Sequence, residues 1–248
     1  MTRNRAVSLP AALLFLAAAT AAGAQSAEDI VRRLEANQHF RTEEAEGALI
    51  ITDRFGSRTK TFVSYAEGRE RMLLAFTNPE EKGQKILRLQ EEIYLYFPEA
   101  EEVVRLQGAA LKEAVMGSDF SYEDLTGEKS LLDLYDVRLL GVERIAGREQ
   151  HLLELKAKKR GPAYPLQKLW VDAAEFVPRR AEYYALSGRL LKTLEVLEVR
   201  TVAGRSVVMR ALMRDALKKS SSTEFRLRRV RLDEPLPKNI FSLEALSW

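Results

Sequence analysis

The chain has 248 residues, with 39 lysines and arginines against 36 aspartates and glutamates, and it contains no cysteine. Disulfides are therefore excluded, and the fold must be stabilised by its apolar core alone. The nearly balanced charge gives no argument for nucleic-acid binding. The length allows one sizeable core.

The first residues are typical of an export signal. An apolar run at 13–19 is followed by a small-x-small triplet at 22–24, the pattern that signal peptidase recognises. The run is too short to span a bilayer as a mature helix. We therefore expect residues 1–24 to be a signal peptide that is cleaved after Ala24, and residues 25–248 to form a single domain. The bacterial periplasm is the expected compartment, with secretion as the alternative.

The next predicted element is an amphipathic helix over residues 27–38. Ser26 can occupy the N-cap position and Asp29 the N3 position of a capping box. Ile30 and Leu34 then form an apolar stripe at helical spacing.

Alternation with a period of two follows over residues 46–108 and again over 135–241. Short runs of β-branched and aromatic residues separated by turn signals are typical of antiparallel meanders, and we predict about ten or eleven strands. Between the two stretches, residues 108–117 predict a second helix that ends at Gly117.

The last predicted strand changes phase along its length. Phe225 and Leu227 share one face, but Val230 and Leu232 share a face only after a slip of one residue. The slip predicts a β-bulge at Arg228-Arg229.

A sheet of this length must twist and curl. It can form a two-sheet sandwich or a single sheet bent into an incomplete barrel with helices over its open mouth. The small number of predicted helices favours the second solution. We therefore expect a mainly β (α+β) fold, a strongly curved and unclosed antiparallel β-barrel.

Catalytic and metal-binding patterns are weak in this sequence. Two separated histidines, His39 and His151, do not supply the ligands of a zinc site. Asp119, Glu123 and Asp124 do not match the spacing of a twelve-residue calcium loop. There is no G-x-S-x-G elbow and no phosphate-binding glycine pattern. We predict a protein that is not an enzyme, without catalytic residues, metal or cofactor.

Several predicted strands carry large apolar side chains on both faces, whereas a curled sheet usually has one polar face. The excess apolar side chains indicate either a fully packed core or a cavity deep enough for an acyl chain. The pattern alone leaves both possibilities open.

Basic residues are concentrated late in the chain. They form either solvated strand faces or a basic rim that contacts lipid head groups or an acidic partner protein. They are Arg205, Arg210, Arg214, Lys218, Lys219, Arg226, Arg228, Arg229 and Arg231.

Two segments carry a family resemblance. The run at 76–125, with Asn78-Pro79 and above all the sequence MGSDFSYEDL at 116–125, resembles the signature of the LolA-like outer-membrane lipoprotein-sorting proteins. A second segment, 168–196, is similar to the strand–turn–strand order of the same family. The resemblance extends over nearly all of residues 25–248.

The resemblance implies an unclosed barrel with a helical lid over a hydrophobic cavity. It also implies a periplasmic carrier that shields acyl chains of lipoproteins or other lipids between the inner and outer membranes. Its implied partners are an inner-membrane exporter and an outer-membrane acceptor. The cargo, whether lipoprotein, phospholipid or glycolipid, stays open.

On this hypothesis, side chains of the concave face line the cavity. The predicted lining residues are Leu49, Ile51, Phe62, Met72, Leu74, Phe76, Leu87, Leu89, Tyr94, Tyr96, Met116, Phe120, Tyr122, Trp170 and Tyr184.

The lid segment (Met116–Leu125) is predicted to be a hinge and plug. Its apolar side chains would seat it on the sheet, and its hydroxyl and carboxyl oxygens would satisfy the turning backbone. The segment consists of Met116, Gly117, Ser118, Asp119, Phe120, Ser121, Tyr122, Glu123, Asp124 and Leu125. The alternative function is a ligand-free interaction module that binds an envelope protein through its charged rim.

Overall fold

Thirteen antiparallel strands form one sheet in the computed structural model, which describes residues 25–126 and 130–247. The expected signal peptide lies outside the described residues. The strands are β1 (Thr42–Asp53), β2 (Gly56–Glu67), β3 (Arg71–Phe76), β4 (Lys85–Leu89), β5 (Glu92–Phe97), β6 (Glu102–Leu106), β7 (Tyr135–Ile145), β8 (Arg148–Ala157), β9 (Leu166–Asp172), β10 (Pro178–Tyr184), β11 (Leu190–Val202), β12 (Arg205–Asp215) and β13 (Ser222–Leu232).

The spatial order is β6-β5-β4-β3-β2-β1-β13-β12-β11-β10-β9-β8-β7. The sheet is unclosed, because β6 and β7 stand at its two edges and do not pair with each other. Strands near both ends of this order face one common cavity, so the sheet is curved. The expected fold class is confirmed. The sheet has thirteen strands, more than the ten or eleven expected.

The predicted β-bulge is confirmed where β1 and β13 pair. Glu46 is opposite Arg229 and Gly47 is opposite Leu227, which leaves Arg228 as the extra residue. A Cβ atom on Gly47 would lie 2.7 Å from the carbonyl oxygen of Arg226 and 2.7 Å from the Phe62 ring. Glycine therefore permits the close backbone approach that the bulge requires.

The first helix, α1 (Ala27–Asn37), begins as predicted. The hydroxyl oxygen of Ser26 accepts a hydrogen bond from the backbone N–H of Asp29 at 3.1 Å. Ile30, Val31 and Leu34 are buried on one side of α1 and belong to an apolar cluster with residues of β7–β10. The helix thus covers one half of the concave face of the sheet.

The helix predicted at 108–117 is wrong. This part of the chain contains two short 3₁₀ turns, Gly108–Lys112 and Val115–Gly117. Ala114 between them is extended and forms a bridge with Ser121, and Met116 has a φ of 50°. The bridge turns the chain back on itself, which a continuous helix would prevent. Two short helices follow, α2 (Tyr122–Thr126) and α3 (Leu131–Leu134).

The segment after β13 crosses the convex face of the sheet. Ile240, Phe241 and Leu246 pack in a separate apolar cluster with side chains of β2–β5. The ammonium group of Lys85 donates to the backbone oxygens of Ala245 at 3.0 Å and Leu246 at 2.8 Å. The convex face of this half of the sheet is therefore covered by the C-terminal segment.

Candidate ligand cavity

A cavity of about 520 Å³ lies between the concave face of the sheet, α1 and the lid segment. Its volume is within the range of small-molecule and cofactor sites. The apolar part of its wall is formed by Leu34, Phe40, Phe62, Ala66, Met72, Leu74, Phe120, Leu125, Leu131, Leu169, Pro178, Ala181, Tyr183, Leu194, Met213, Phe225 and Leu227.

Nine of the fifteen predicted lining residues belong to the apolar cluster on the concave face. Four of them border the cavity directly: Phe62, Met72, Leu74 and Phe120. The other five pack in the same cluster without bordering the cavity: Leu49, Ile51, Phe76, Met116 and Tyr122.

The remaining six are on the convex face and do not line the cavity. Leu87, Leu89, Tyr94 and Tyr96 pack in the cluster under the C-terminal segment. Trp170 donates from Nε1 to Glu143 at 2.9 Å and stacks under the Arg180 guanidinium, and Tyr184 stacks under the Lys168 ammonium group.

Each of these six residues is next to a residue that faces inward. Neighbouring residues of a strand point to opposite faces, so an error of one position places the side chain on the wrong face. The inward-facing residues of β4 and β5 are Ile86, Ile93 and Leu95. On β9 and β10, Leu169 and Tyr183 face the cavity instead of Trp170 and Tyr184. On β4 and β5 both faces carry large apolar or aromatic side chains, so alternation alone could not distinguish them.

The lid segment contacts the sheet through its apolar side chains. Phe120 is 7% exposed, and its ring centroid is 6.2 Å from that of Phe225. Met116, Tyr122 and Leu125 pack partly buried against the same cluster. The segment thus closes one side of the cavity.

Asp119 fastens the lid segment to the far end of the chain. The carboxylate is 1% exposed and accepts from the hydroxyl groups of Ser221 at 2.7 Å and Thr223 at 3.0 Å. Its backbone N–H donates to Thr223 Oγ1 at 2.9 Å. Lys218 donates to the Ser118 carbonyl at 3.0 Å and lies 3.5 Å from the carboxylate.

Asp124 forms a second fastening. Its carboxylate accepts from the Ser121 backbone N–H at 2.8 Å, the Lys192 ammonium at 2.9 Å and the Tyr164 hydroxyl at 2.9 Å. Ser121 Oγ in turn accepts from the Asp124 N–H, which completes a capping box at α2. Burial, reinforced by the Asp124 carboxylate, raises the pKa of Tyr164, so the phenol stays neutral and donates.

Glu35 connects the covering helices on the other side of the cavity. Its carboxylate accepts from the Leu131 backbone N–H at 2.7 Å and from the Ser130 hydroxyl at 3.0 Å. Arg69 forms an ion pair with the same carboxylate at 3.5 Å. The end of α1, the start of α3 and the β2–β3 turn are thereby joined.

Two further carboxyl groups at the cavity differ from these, because no hydrogen bond or ion pair pairs them with another described residue. Glu43, on the concave side of β1, borders both this cavity and a smaller neighbouring pocket of about 140 Å³. Burial raises the pKa of its carboxyl to about 7. Glu123, on α2, has a buried Oε2 atom without a hydrogen-bond partner, and burial raises its pKa as well. Sequence reasoning missed Glu43, because a glutamate in an acidic run resembles ordinary surface.

The basic residues of the last strands face acidic neighbours across the sheet. Arg228 and Arg229 pair with Glu46, and Arg231 lies 3.4 Å from Glu44. Glu224 accepts from Arg210 at 2.7 Å and from Arg226 at 2.9 Å. Much of the convex charge is thus neutralised within the sheet.

Among residues 25–126 and 130–247, no group of three or more histidine, aspartate or glutamate side chains is arranged to hold a metal ion. None of the helices in this part of the chain is long and apolar enough to cross a membrane.

Solved structures with the same architecture define the class. A domain from Vibrio parahaemolyticus, described as an outer membrane lipoprotein-sorting protein, superposes with a TM-score of 0.82 at 22% identity, over 90% of this chain and 98% of that one. A LolA superfamily protein from Nitrosomonas europaea gives 0.74 at 24% identity, over 89% and 99%. A DUF1329 family protein from Desulfovibrio piger gives 0.83 at 25% identity, over 88% and 96%. The chain has the LolA-like fold, which confirms the resemblance found in its sequence.

The family follows from a second comparison. Residues 68–248 match the model of a family described as "Uncharacterized protein", and the chain belongs to that family. No curated protein matches it.

Proposed function

We propose that the protein is a periplasmic carrier that binds the acyl chains of a lipoprotein or another lipid and moves them from the inner towards the outer membrane. The observation that carries the proposal is the cavity between sheet, α1 and lid segment, whose wall is mainly apolar. Each CH₂ group that leaves water for such a wall contributes about 0.8 kcal/mol to binding. A single acyl chain therefore supplies enough free energy for capture.

A carrier must also release its cargo, and the covering elements suit that requirement. The lid segment rests on a few apolar side chains and two polar fastenings, at Asp119 and Asp124, whereas the sheet is held by continuous strand pairing. Elements with few buried contacts open at a lower free energy than the core. Opening of the lid segment would expose the cavity without unfolding the sheet.

Two features bear on the alternative of a ligand-free interaction module. A module of that kind needs a filled interior, whereas this concave face borders about 520 Å³ of open space. It also needs a free charged surface, whereas the arginines of β13 pair with glutamates of β1. The carrier is the better supported function.

Uptake of a fluorescent long-chain acyl ester tests the proposal, together with native mass spectrometry of lipid that co-purifies from cells. The variant Ala66→Trp places a large ring at the cavity wall, and Ala75→Trp on the same pair of strands points to the convex face. We expect the first variant to lose uptake and the second to retain it. Equal uptake by both variants, or no uptake by the unmodified protein, would contradict the carrier function.

A further inference from the structure

The mainly apolar wall of the cavity contains a carboxyl group, that of Glu43, which no cation neutralises. Glu43 faces inward from β1 between Ala66 of β2 and Leu232 of β13, two apolar residues that offer it no hydrogen bond. Glu43 is half-buried, and withdrawing a carboxylate from water without a cation or donor is costly. The other inward residues of β1 are apolar or glycine: Ala45, Gly47, Leu49 and Ile51.

The other charged side chains around the cavity are of two kinds. The cations already form ion pairs with other carboxylates, and the rest are carboxylates themselves. Arg69 pairs with Glu35, and Arg71 pairs with Glu67 at 2.8 Å. On the lid side, Asp124 is satisfied by Tyr164 and Lys192. Glu123 is a second carboxyl with a buried oxygen that lacks a donor, although the charges of Lys112 and Arg88 act on it. The cavity therefore presents unused acceptors and no unused cation among the described residues that line it.

We propose that the cargo is an amphiphile with a primary ammonium group close to its alkyl chain, and that Glu43 binds this ammonium while the apolar wall holds the chain. The inference rests on the proposed carrier function and deepens it. Glu123 supplies a second acceptor on the side of the lid segment. Because Glu43 also borders the smaller pocket beside α1, the ammonium would sit where the two spaces meet.

Competition against the fluorescent ester tests this selectivity, with decylamine, decanol and decanoate as probes of equal chain length. At pH 8 we expect decylamine to bind about tenfold to a hundredfold more tightly than decanol, the range for a hydrogen bond to a charged group. Decanoate should bind most weakly of the three. Equal binding of amine and alcohol, or preference for the carboxylate, would overturn the proposal.

The variant Glu43→Gln removes the charge and keeps the shape of the side chain. We expect it to lose the preference for the amine while still binding decanol, and the exposed control Glu99→Gln to keep the preference. A second measurement needs no variant. Protonation of Glu43, whose pKa is raised to about 7, should weaken the preference of the unmodified protein at pH 5.5. A preference that survives both changes overturns the assignment.

Failure of this inference and failure of the carrier function give different results. If none of the three probes displaces the ester and the ester itself does not bind, the carrier function fails and the inference falls with it. If all three bind equally, only the ammonium preference fails.

Two natural sources carry the required chemistry, an aminolipid head group and the free N-terminus of a lipidated protein. Preference for lysophosphatidylethanolamine over lysophosphatidylglycerol would assign the ammonium to a lipid. Selective binding of an S-acylated cysteinyl peptide with a free amine over its N-acetylated form would assign it to a protein. Selection of neither overturns the proposal.

Discussion

Helix α1 and the lid segment cover the same concave face, but different interactions hold them there. Helix α1 presents a continuous apolar stripe in which Ile30 and Val31 are fully buried. The lid segment has a left-handed residue at Met116, only short helical turns, and buried carboxylates that reach partners on distant strands. Helix α1, which is held by a continuous apolar stripe, can detach only as a whole. The lid segment, which is held by a few polar contacts, can open as these contacts break one after another.

The largest expected effect is on α1. Ile30→Ala removes a fully buried side chain from the cluster beneath the helix, which should lower the free energy of unfolding by about 3–4 kcal/mol. Urea denaturation measures the loss. Glu28→Ala, on the exposed side of the same helix, is the matched control and should change stability by less than about 0.5 kcal/mol. Similar losses in both variants would mean that α1 is not held by its apolar stripe.

Asp119→Ala should cost about 2–3 kcal/mol, because it leaves the buried hydroxyl group of Thr223 and the half-buried hydroxyl group of Ser221 without their acceptor. Unlike the loss expected from the α1 variant, this loss should be confined to the lid segment. Hydrogen exchange should accelerate in residues 115–126 and stay unchanged in α1. The exposed Asp136→Ala on β7 should alter neither region. Exchange that accelerates throughout the sheet would show that Asp119 supports the whole fold and not only the lid.

The two covers also differ in how well sequence predicts them. A helix such as α1 is encoded locally, by the Ser26 cap and an apolar stripe within eleven residues. The bulge at Arg228 was likewise visible as a phase change within one strand. The family resemblance located the lid segment, but its contacts were not predictable. The partners of Asp119 lie about a hundred residues further along the chain, and only the folded sheet brings them together.

The alternation of apolar residues along a strand does not by itself determine which side chains face the cavity. On β1 and β2, Leu49, Ile51 and Phe62 pack in the concave cluster and Phe62 borders the cavity, although Ile50 and Val63 make the opposite face apolar as well. On β5, Tyr94 and Tyr96 are as apolar as Ile93 and Leu95. The C-terminal segment covers the tyrosines, and no local pattern reveals that cover.

Glu43, which borders both the cavity and the pocket beside α1, should make stability depend on pH. Its pKa is raised from 4.5 to about 7, so the folded state holds a proton that the unfolded state releases. Its contribution to stability is complete below about pH 4.5 and is lost as the pH rises through about 7. Relative to the unmodified protein, Glu43→Gln should gain on the order of 2 kcal/mol at pH 8 and little at pH 4.5.

Urea denaturation at both pH values measures the difference, with Glu99→Gln as the exposed control. If the gain in the free energy of unfolding is the same at both pH values, better packing of the amide explains it and the titration of Glu43 does not.

The smallest effect should come from the second fastening of the lid segment. Tyr164→Phe removes the hydroxyl that donates to Asp124 but keeps the ring, whose centroid lies 4.5 Å from that of Tyr183. Asp124 retains Lys192 and the Ser121 N–H, so the loss should be about 1 kcal/mol. A loss of that size is a modest fraction of global stability but a large fraction of a local opening free energy.

The effect of Tyr164→Phe should therefore appear in dynamics before it appears in stability. Hydrogen exchange in Tyr122–Thr126 and the dissociation rate of a bound acyl ester should both rise severalfold, while α1 exchanges as before. Tyr94→Phe removes a hydroxyl that donates to Glu92 on the convex face and serves as the matched control. If the two variants release the ester at the same rate, the Asp124 fastening does not govern opening. The lid segment would then be held by Asp119 and its apolar contacts alone, and the distinction from α1 would rest on that one carboxylate.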